Sequence, residues 1–491
     1  MLFSSTVFLF IFLPAVLAVY YVCKGHRRVQ NTVLCLFSLF FYAWGEPYFV
    51  LVMMLSIVIN WALGLAIADS LNYIAGRHDG SGESGRRAKL FLTLDVILNL
   101  ALLFVFKYLG FAIECINDIA HTELLVPEIT LPIGISFFTF QAMSYVIDVY
   151  RGNGKAQRNI LNVALYISFF PQLIAGPIVR YETVAEQIEN RRESISGFSA
   201  GVVRFIVGLG KKIIIANNLA LVADAAFGVA SGLSATWLGH DVELGAGMAW
   251  LGALAYTFQI FFDFSGYSDM AIGLGKMFGF EFLENFNYPY ISASVTDFWR
   301  RWHISLSTWF RDYLYIPLGG SRCSKGRNLL NLFIVWFLTG IWHGANYTFI
   351  VWGLMYFVLL AFERAFGMTE GSPVGHIYTL LFVIMGWVIF RASSLSEAFY
   401  YIGCMFSSGT TGNMFLFYLR EYAVYFILAI IASVPVVPAI KKRLIGSGGH
   451  TSESQPVWWQ IVSGTVLVVI FAISVSFIVK GSYNPFIYFN F

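Results

Sequence analysis

The chain is a succession of long apolar runs separated by short polar stretches. About 20 consecutive apolar residues are needed to cross the hydrocarbon core of a bilayer as a helix. On that measure the runs predict helices at 2–22, 48–68, 90–106, 131–149, 160–178, 199–222, 246–275, 347–365, 376–391, 421–440 and 457–479, with shorter ones at 31–44 and 329–342. The short runs suit re-entrant segments, so the pattern predicts an all-α, polytopic integral membrane protein with about 11–13 membrane segments. The longest polar stretches, 73–89, 180–197 and 445–456, are loop-sized, and none is long enough for a separate soluble domain. The expectation is one membrane domain over 1–491, with N-terminal helices in 1–130, a core in 131–365 and C-terminal helices in 366–491. Two prolines and a glycine in Phe169-Phe-Pro171-Gln-Leu-Ile-Ala-Gly176-Pro177 predict a broken or bent helix there.

A second pattern lies between 297 and 313. Phe298, Trp302, Leu306, Trp309, Phe310 and Tyr313 recur at three- and four-residue steps, and Arg300, His303, Ser307 and Arg311 recur likewise on another face. This predicts an amphipathic helix with an aromatic face and a cationic, hydrogen-bonding face. Asp297 and Arg301 stand one turn apart and can pair.

Composition agrees with the pattern. The 491 residues are 58% hydrophobic and 12% charged, where a soluble domain is nearer a quarter charged. A net charge of +3 is too small to point to nucleic acid. Five cysteines without a C-x-x-C pair argue against a disulfide framework or a zinc site. Metalloprotease, P-loop and dinucleotide-binding motifs do not occur in the sequence, so neither a metal nor a tightly bound cofactor is expected. The stretch Met1–Tyr21 has no basic leading region and no clear cleavage site, so it is expected to remain as the first spanning helix. Basic clusters at Lys24, Arg27 and Arg28, and at Arg77, Arg86, Arg87 and Lys89, should face the cytoplasm, which places the N-terminus outside.

The candidate chemistry sits in the 297–347 region. His343 ends an almost wholly apolar run, and His303 lies in the charged stretch before it. A histidine at membrane depth is costly to solvate and is a functional candidate for that reason. Its near-neutral pKa suits a general base for a hydroxyl acceptor. The simpler alternative is a ring that only hydrogen-bonds a neighbouring carbonyl. Gly340, Gly344 and Ala345 leave room beside His343 for close backbone approach or for substrate, and Asn346 is placed to orient its ring. Arg300, Arg301 and Arg311, with Asp297 nearby, form either an interfacial helix with a positive-inside loop or a cytoplasm-facing site for the phosphates of a donor such as coenzyme A. Gln141, Asp148, Gln172, Gln259, Asp263, Asp269 and Lys276 interrupt apolar runs and are expected to fasten helices together.

These residues resemble the membrane-bound O-acyltransferase (MBOAT) family, and within it the branch that acetylates polysaccharides such as alginate. The matching pieces are Met1-Leu-Phe-Ser-Ser-Thr-Val-Phe-Leu-Phe, Tyr42-Ala-Trp-Gly-Glu-Pro, Leu131-Pro-Ile-Gly-Ile-Ser-Phe-Phe-Thr-Phe-Gln, Phe170-Pro-Gln-Leu-Ile-Ala-Gly-Pro-Ile-Val-Arg, Phe262-Asp-Phe-Ser-Gly-Tyr-Ser-Asp, Asp297-Phe-Trp-Arg-Arg-Trp-His-Ile-Ser-Leu-Ser-Thr-Trp and Gly340-Ile-Trp-His-Gly-Ala. The resemblance implies a helical membrane fold with a central tunnel, a catalytic histidine at His343 and a second family histidine at His303. It also implies an acyl group, acetyl in this branch, taken from a cytoplasmic donor such as acetyl-CoA and passed to a hydroxyl. An extracytoplasmic SGNH-type partner, a polysaccharide acceptor and a bacterial plasma-membrane location are implied with it. Transfer of D-alanine to teichoic acid is the alternative inside the family. A transporter or flippase with a histidine proton relay, and a scaffold for the secreted partner, are the alternatives outside it.

Overall fold

The computed structural model describes residues 1–71, 82–232, 236–237, 240–241, 243–367, 372–408, 413–445, 456–481 and 483–487. Arg77 and most of the expected 445–456 loop lie outside the described residues. The chain divides into two compact units.

One unit comprises Met1–Val202 and Ala271–Leu283. A π-helical turn over Phe8–Phe12 leads into α1 (Leu13–Val22), followed by α2 (Arg27–Ala43), α3 (Phe49–Ser70) and α4 (Gly82–Leu103). A second π turn, Phe104–Tyr108, joins α4 to α5 (Leu109–Ala120), and α6 (Ile135–Arg151) follows. α7 (Ile160–Ser168) stops at Phe169, whose φ of −53° and ψ of 110° leave the helix, and α8 (Phe170–Leu173) carries Pro171 in its first turn. In an unbroken helix the Pro171 ring would strike the preceding turn, so the predicted break falls here. The polar stretch expected as a loop over 180–197 contains a helix, α9 (Tyr181–Asn190), and α10 (Ile195–Gly210) begins at its end.

Aromatic packing and small residues hold this unit. The Phe170 ring lies 6.2, 5.3 and 5.5 Å from those of Phe8, Phe12 and Phe41. A methyl group at Gly64 of α3 would stand 2.6 Å from the Tyr145 ring of α6, so glycine sets that helix spacing. Arg27 Nη1 pairs with Glu193 Oε1 at 2.5 Å, and the Tyr20 hydroxyl is 2.5 Å from the same oxygen. Burial alone would raise the Glu193 carboxyl, but hydrogen bonds from Arg27 and Tyr20 outweigh it and hold its pKa down at about 2.

The other unit comprises Val203–Met270 and Glu284–Phe491. Beyond α10, a π turn at Lys211–Ala216 leads to α11 (Asn217–Ala230), a pair of two-residue antiparallel strands β1 (Thr236–Trp237) and β2 (His240–Asp241), and the long α12 (Ala246–Met277). There follow α13 (Val295–Arg301), α14 (Ile304–Phe310), a π turn at Arg311–Tyr315, α15 (Lys325–His343), α16 (Tyr347–Phe366), α17 (Pro373–Arg391), α18 (Leu395–Met405), α19 (Met414–Ala432), α20 (Val436–Ile445) and α21 (Val457–Lys480). The consecutive lysines at the start of the Lys211–Ala216 π turn reach two acidic groups of α12. Lys211 Nζ pairs with Asp269 at 2.7 Å and Lys212 Nζ with Asp263 at 2.5 Å. Asp263 Oδ2 also accepts from Ile487 N at 2.9 Å, and Lys212 donates to the Pro485 carbonyl. The segment after α21 thus returns into this unit, with Phe486 and Ile487 buried.

Among the described residues, seven helices are long and apolar enough to cross a membrane: Phe49–Ser70, Gly85–Ala120, Ile195–Ala230, Tyr347–Phe366, Pro373–Arg391, Met414–Ala432 and Val457–Lys480. Phe8–Val22 is apolar but shorter. The remaining candidate runs are helices that are short or carry polar residues. α12, for example, buries Gln259, Asp263 and Asp269. Some of the polar residues expected to fasten helices do so: Asp148 accepts from Glu182 N at 3.1 Å, and Asp269 pairs with Arg204 at 2.6 Å.

Candidate functional site

All the sequence-predicted site residues fall in the second unit. α15 ends at His343 because Gly344 turns to extended backbone, φ −176° and ψ 160°. α16 begins after Asn346, whose side chain accepts from Thr348 N at 3.0 Å and donates to Ser393 O at 3.0 Å. Asn346 is therefore a helix cap, and the expectation that it orients the His343 ring is corrected: its amide is used on α16 and on Ser393.

The room expected beside His343 is taken up by close approach of α15 and α16. A methyl group at Gly340 would stand 2.5 Å from the Phe349 carbonyl oxygen, and one at Gly344 would stand 2.2 Å from the Phe349 ring. His343 is buried, and its ring contacts those of Trp342, Trp352 and Phe390 with centroids 4.9, 5.0 and 5.1 Å away, each edge to face.

The single amphipathic helix expected over 297–313 is not formed. α13 ends at Arg301, and His303 takes a left-handed conformation, φ +46°, before α14 starts. A β-carbon-bearing residue rarely adopts this backbone, and it persists only where neighbours enforce it. The enforcing segment is the irregular stretch before α13. Ile304 N donates to Asn285 O at 3.0 Å, and Asn287 N donates to Arg301 O at 3.0 Å. Asn285 Oδ1 accepts from Ser305 N at 3.1 Å and from Ser305 Oγ at 2.9 Å, and lies 3.2 Å from His303 Nδ1. These bonds replace the helical ones, so a periodic sequence is cut in two.

After the break His303 is buried, whereas Arg300 is exposed. His303 is 1% exposed, packs edge to face on Phe264 at 4.6 Å, and lies 6.3 Å from the Trp342 ring. Trp342 is thus a ring neighbour of both histidines. Burial lowers the His303 pKa to about 3, so the ring is neutral near pH 7. Its Nε2 has no hydrogen-bond partner among the described residues, and neither have the indole N–H groups of Trp299 and Trp352. Buried polar atoms are seldom left unsatisfied. Arg300 is exposed, Arg301 pairs with Asp297 at 2.9 Å as its spacing predicts, and Arg311 pairs with Asp312 at 2.7 Å.

Two further residues hold this arrangement and were not legible as site residues. Asn285 lies in coil, where no periodicity marks it. Glu363 of α16 caps α13, its carboxylate accepting from Val295 N at 2.5 Å, Thr296 N at 2.9 Å and Thr296 Oγ1 at 2.6 Å. Its position as an acid at the end of the apolar run 347–365 is the one sequence signal by which it could have been found.

Comparison with known proteins places the chain in a family. The chain is 40% identical over 510 residues to the probable alginate O-acetylase AlgI of Pseudomonas putida, covering 100% of both chains. It is 45% identical over 418 residues to the probable alginate O-acetylase AlgI of Pseudomonas aeruginosa, covering 84% of this chain and 76% of that one. It is 33% identical over 545 residues to the peptidoglycan O-acetyltransferase of Helicobacter pylori, covering 100% and 98%. Residues 47–402, which include both histidines, match the membrane-bound O-acyltransferase family, and the chain, a multi-pass O-acyltransferase by its helices and its relatives, belongs to that family.

Proposed function

We propose that this protein takes an acetyl group from cytoplasmic acetyl-CoA and passes it across the bacterial inner membrane for O-acetylation of a cell-surface polysaccharide, alginate being the leading acceptor. The observation that carries the reading is the placement of two buried histidines against one indole, Trp342, among unsatisfied polar atoms. Higher identity to alginate O-acetylases than to the peptidoglycan enzyme, over full chains in both cases, supports the choice of acceptor.

In this reading His343 is the general base. It takes the proton of the attacking hydroxyl as the C–O bond to the acetyl carbon forms. The C–S bond of the thioester breaks, and the proton passes to the coenzyme A sulfur. His303 accepts a hydrogen bond through Nε2, and Arg300, with Arg301 and Arg311, meets the donor's phosphates. An extracytoplasmic SGNH-type acyltransferase completes delivery to the sugar. The test is transfer from labelled acetyl-CoA in proteoliposomes supplied with the SGNH-type partner, with alginate or peptidoglycan fragments as acceptor. His343→Ala should abolish transfer with folded yield preserved, and Gln should not restore it, because an amide takes up no proton at neutral pH. Wild-type transfer by His343→Ala sinks the assignment, and transfer to peptidoglycan alone replaces the acceptor.

A further inference from the structure

The unit holding both histidines contains one side chain that touches His303 directly and that neither the sequence motifs nor the family match singles out. Asn285 is fully buried, and its Oδ1 faces the backbone N–H of Ser305 at 3.1 Å. A backbone N–H can only donate, so the atom it meets must be the amide oxygen rather than the amide nitrogen. That oxygen has no proton to give. The His303 Nδ1 that lies 3.2 Å from it must therefore carry one. The Ser305 hydroxyl, 2.9 Å from Asn285 Oδ1 and 3.4 Å from His303 Nδ1, fits the same pattern by donating to the amide oxygen.

We infer that Asn285 is a positioning residue that fixes His303 as the Nδ1–H tautomer and so presents the lone pair of Nε2, rather than an N–H, to the bound reactants. This rests on the acyl-transfer reading above. It assigns His303 a definite partner chemistry: Nε2 accepts a hydrogen bond from an O–H or N–H of the substrate and donates none. The competing arrangement reverses every proton. The Ser305 hydroxyl would donate to a bare Nδ1, Nε2 would carry hydrogen, and His303 would be a donor toward the acyl carbonyl. It leaves the Nδ1 lone pair against the Asn285 oxygen lone pairs at 3.2 Å, a repulsive contact. The left-handed backbone at His303, φ +46°, belongs to the same device, since Ile304 N and Ser305 N both bond to Asn285 and hold the ring in register with its oxygen.

The experiment uses the full chain in nanodiscs with 15N-labelled histidine, the His303 signals being assigned by their loss in His303→Gln. Ring-nitrogen shifts separate protonated from unprotonated nitrogens. Wild type should show a protonated Nδ1 and an unprotonated Nε2. Asn285→Leu frees the Ser305 hydroxyl to donate to Nδ1 and should move the proton to Nε2. It should also lower kcat for acetyl transfer roughly 10–100-fold, the usual loss for an orienting partner, with KM for acetyl-CoA little changed. Asn285→Asp keeps an oxygen toward Ser305 N and should retain the tautomer and recover most of the rate. A protonated Nε2 in wild type, or an unchanged tautomer in Asn285→Leu, overturns the inference, and the wild-type spectrum decides it even where a variant does not fold. Absence of acetyl transfer by wild type would overturn the reaction instead, without touching the nitrogen shifts.

Discussion

Replacing Gly353 by alanine tests whether the α15–α16 contact sets the geometry at His343. A methyl group at Gly353 would stand 2.5 Å from the Trp336 carbonyl oxygen and 3.2 Å from the Gly340 Cα, whereas ordinary contact begins at 3.4 Å. Both neighbours are backbone, so no side-chain rotation relieves the clash. The helices must part by about 0.9 Å. Overpacking of this kind costs ~1–3 kcal/mol. The larger effect is on rate. His343 ends one helix of the pair, and Trp352, whose ring is 5.0 Å from the histidine ring, precedes Gly353 on the other. A displacement near 1 Å at reacting groups costs on the order of 10²-fold. Gly353→Ala should therefore fold, melt a few degrees lower in nanodiscs, and lose about 10–100-fold in kcat. Gly403→Ala in α18 is the control, because nothing lies within 4 Å of its added methyl, and there a helical alanine stabilises by up to about 1 kcal/mol. If Gly353→Ala matches wild type in both melting and kcat, the helix contact does not set the site.

Three other outcomes are expected. If Arg300 meets donor phosphates, Arg300→Ala should raise KM for acetyl-CoA by roughly 10–150-fold, equivalent to the ~1.5–3 kcal/mol of a charge-assisted hydrogen bond, with kcat little changed; an unaltered KM would return this arginine to the interfacial role. Glu193 is held at a pKa of about 2 against an ordinary 4.5, so its ion pair stabilises the fold fully above pH 4.5 and is lost as pH falls toward 2. Melting midpoints should drop across that window in wild type, and an equal drop in Glu193→Gln would remove Glu193 as the cause. In a cysteine-free background, a cysteine at exposed Glu123 should react with an impermeant reagent added to intact cells, and one at exposed Lys24 should not; the opposite labelling inverts the orientation.

Most helices were legible because a long apolar run is its own signal. The runs at 48–68, 347–365 and 457–479 became Phe49–Ser70, Tyr347–Phe366 and Val457–Lys480. The break at Phe169 was legible through Pro171, whose ring forbids continuation. α9 was not, since a polar helix at the edge of the apolar segments resembles a loop in hydropathy. α18 is too short at 11 residues to register as a membrane run. The cut at His303 escaped detection for a different reason. Its cause is Asn285, 18 residues earlier in coil, and periodicity sees only neighbours on the same helix. Both histidines could be picked out one by one as polar groups in apolar surroundings, but their shared contact with Trp342 depends on how α13, α15 and α16 pack.

The returning segment after α21 has a consequence for synthesis. Ile487 supplies a hydrogen bond to Asp263, and 224 residues separate the two. At about 5–20 residues per second, that interval lasts roughly 11–45 s. For most of it α10, α11 and α12 are complete while the ion pair of Lys212 and Asp263 lacks partners it holds in the finished fold. A buried ion pair short of its hydrogen bonds favours opening toward water. The second unit should therefore stay loose until Ile487 arrives, and newly made chains should gain protease resistance only once residue 487 has emerged. Resistance acquired while α21 is still being made would show that the helices lock without it. Otherwise a chain cut short between Lys480 and Pro485 would present membrane quality control with an unsealed charge pair, although α1 to α21 are all made.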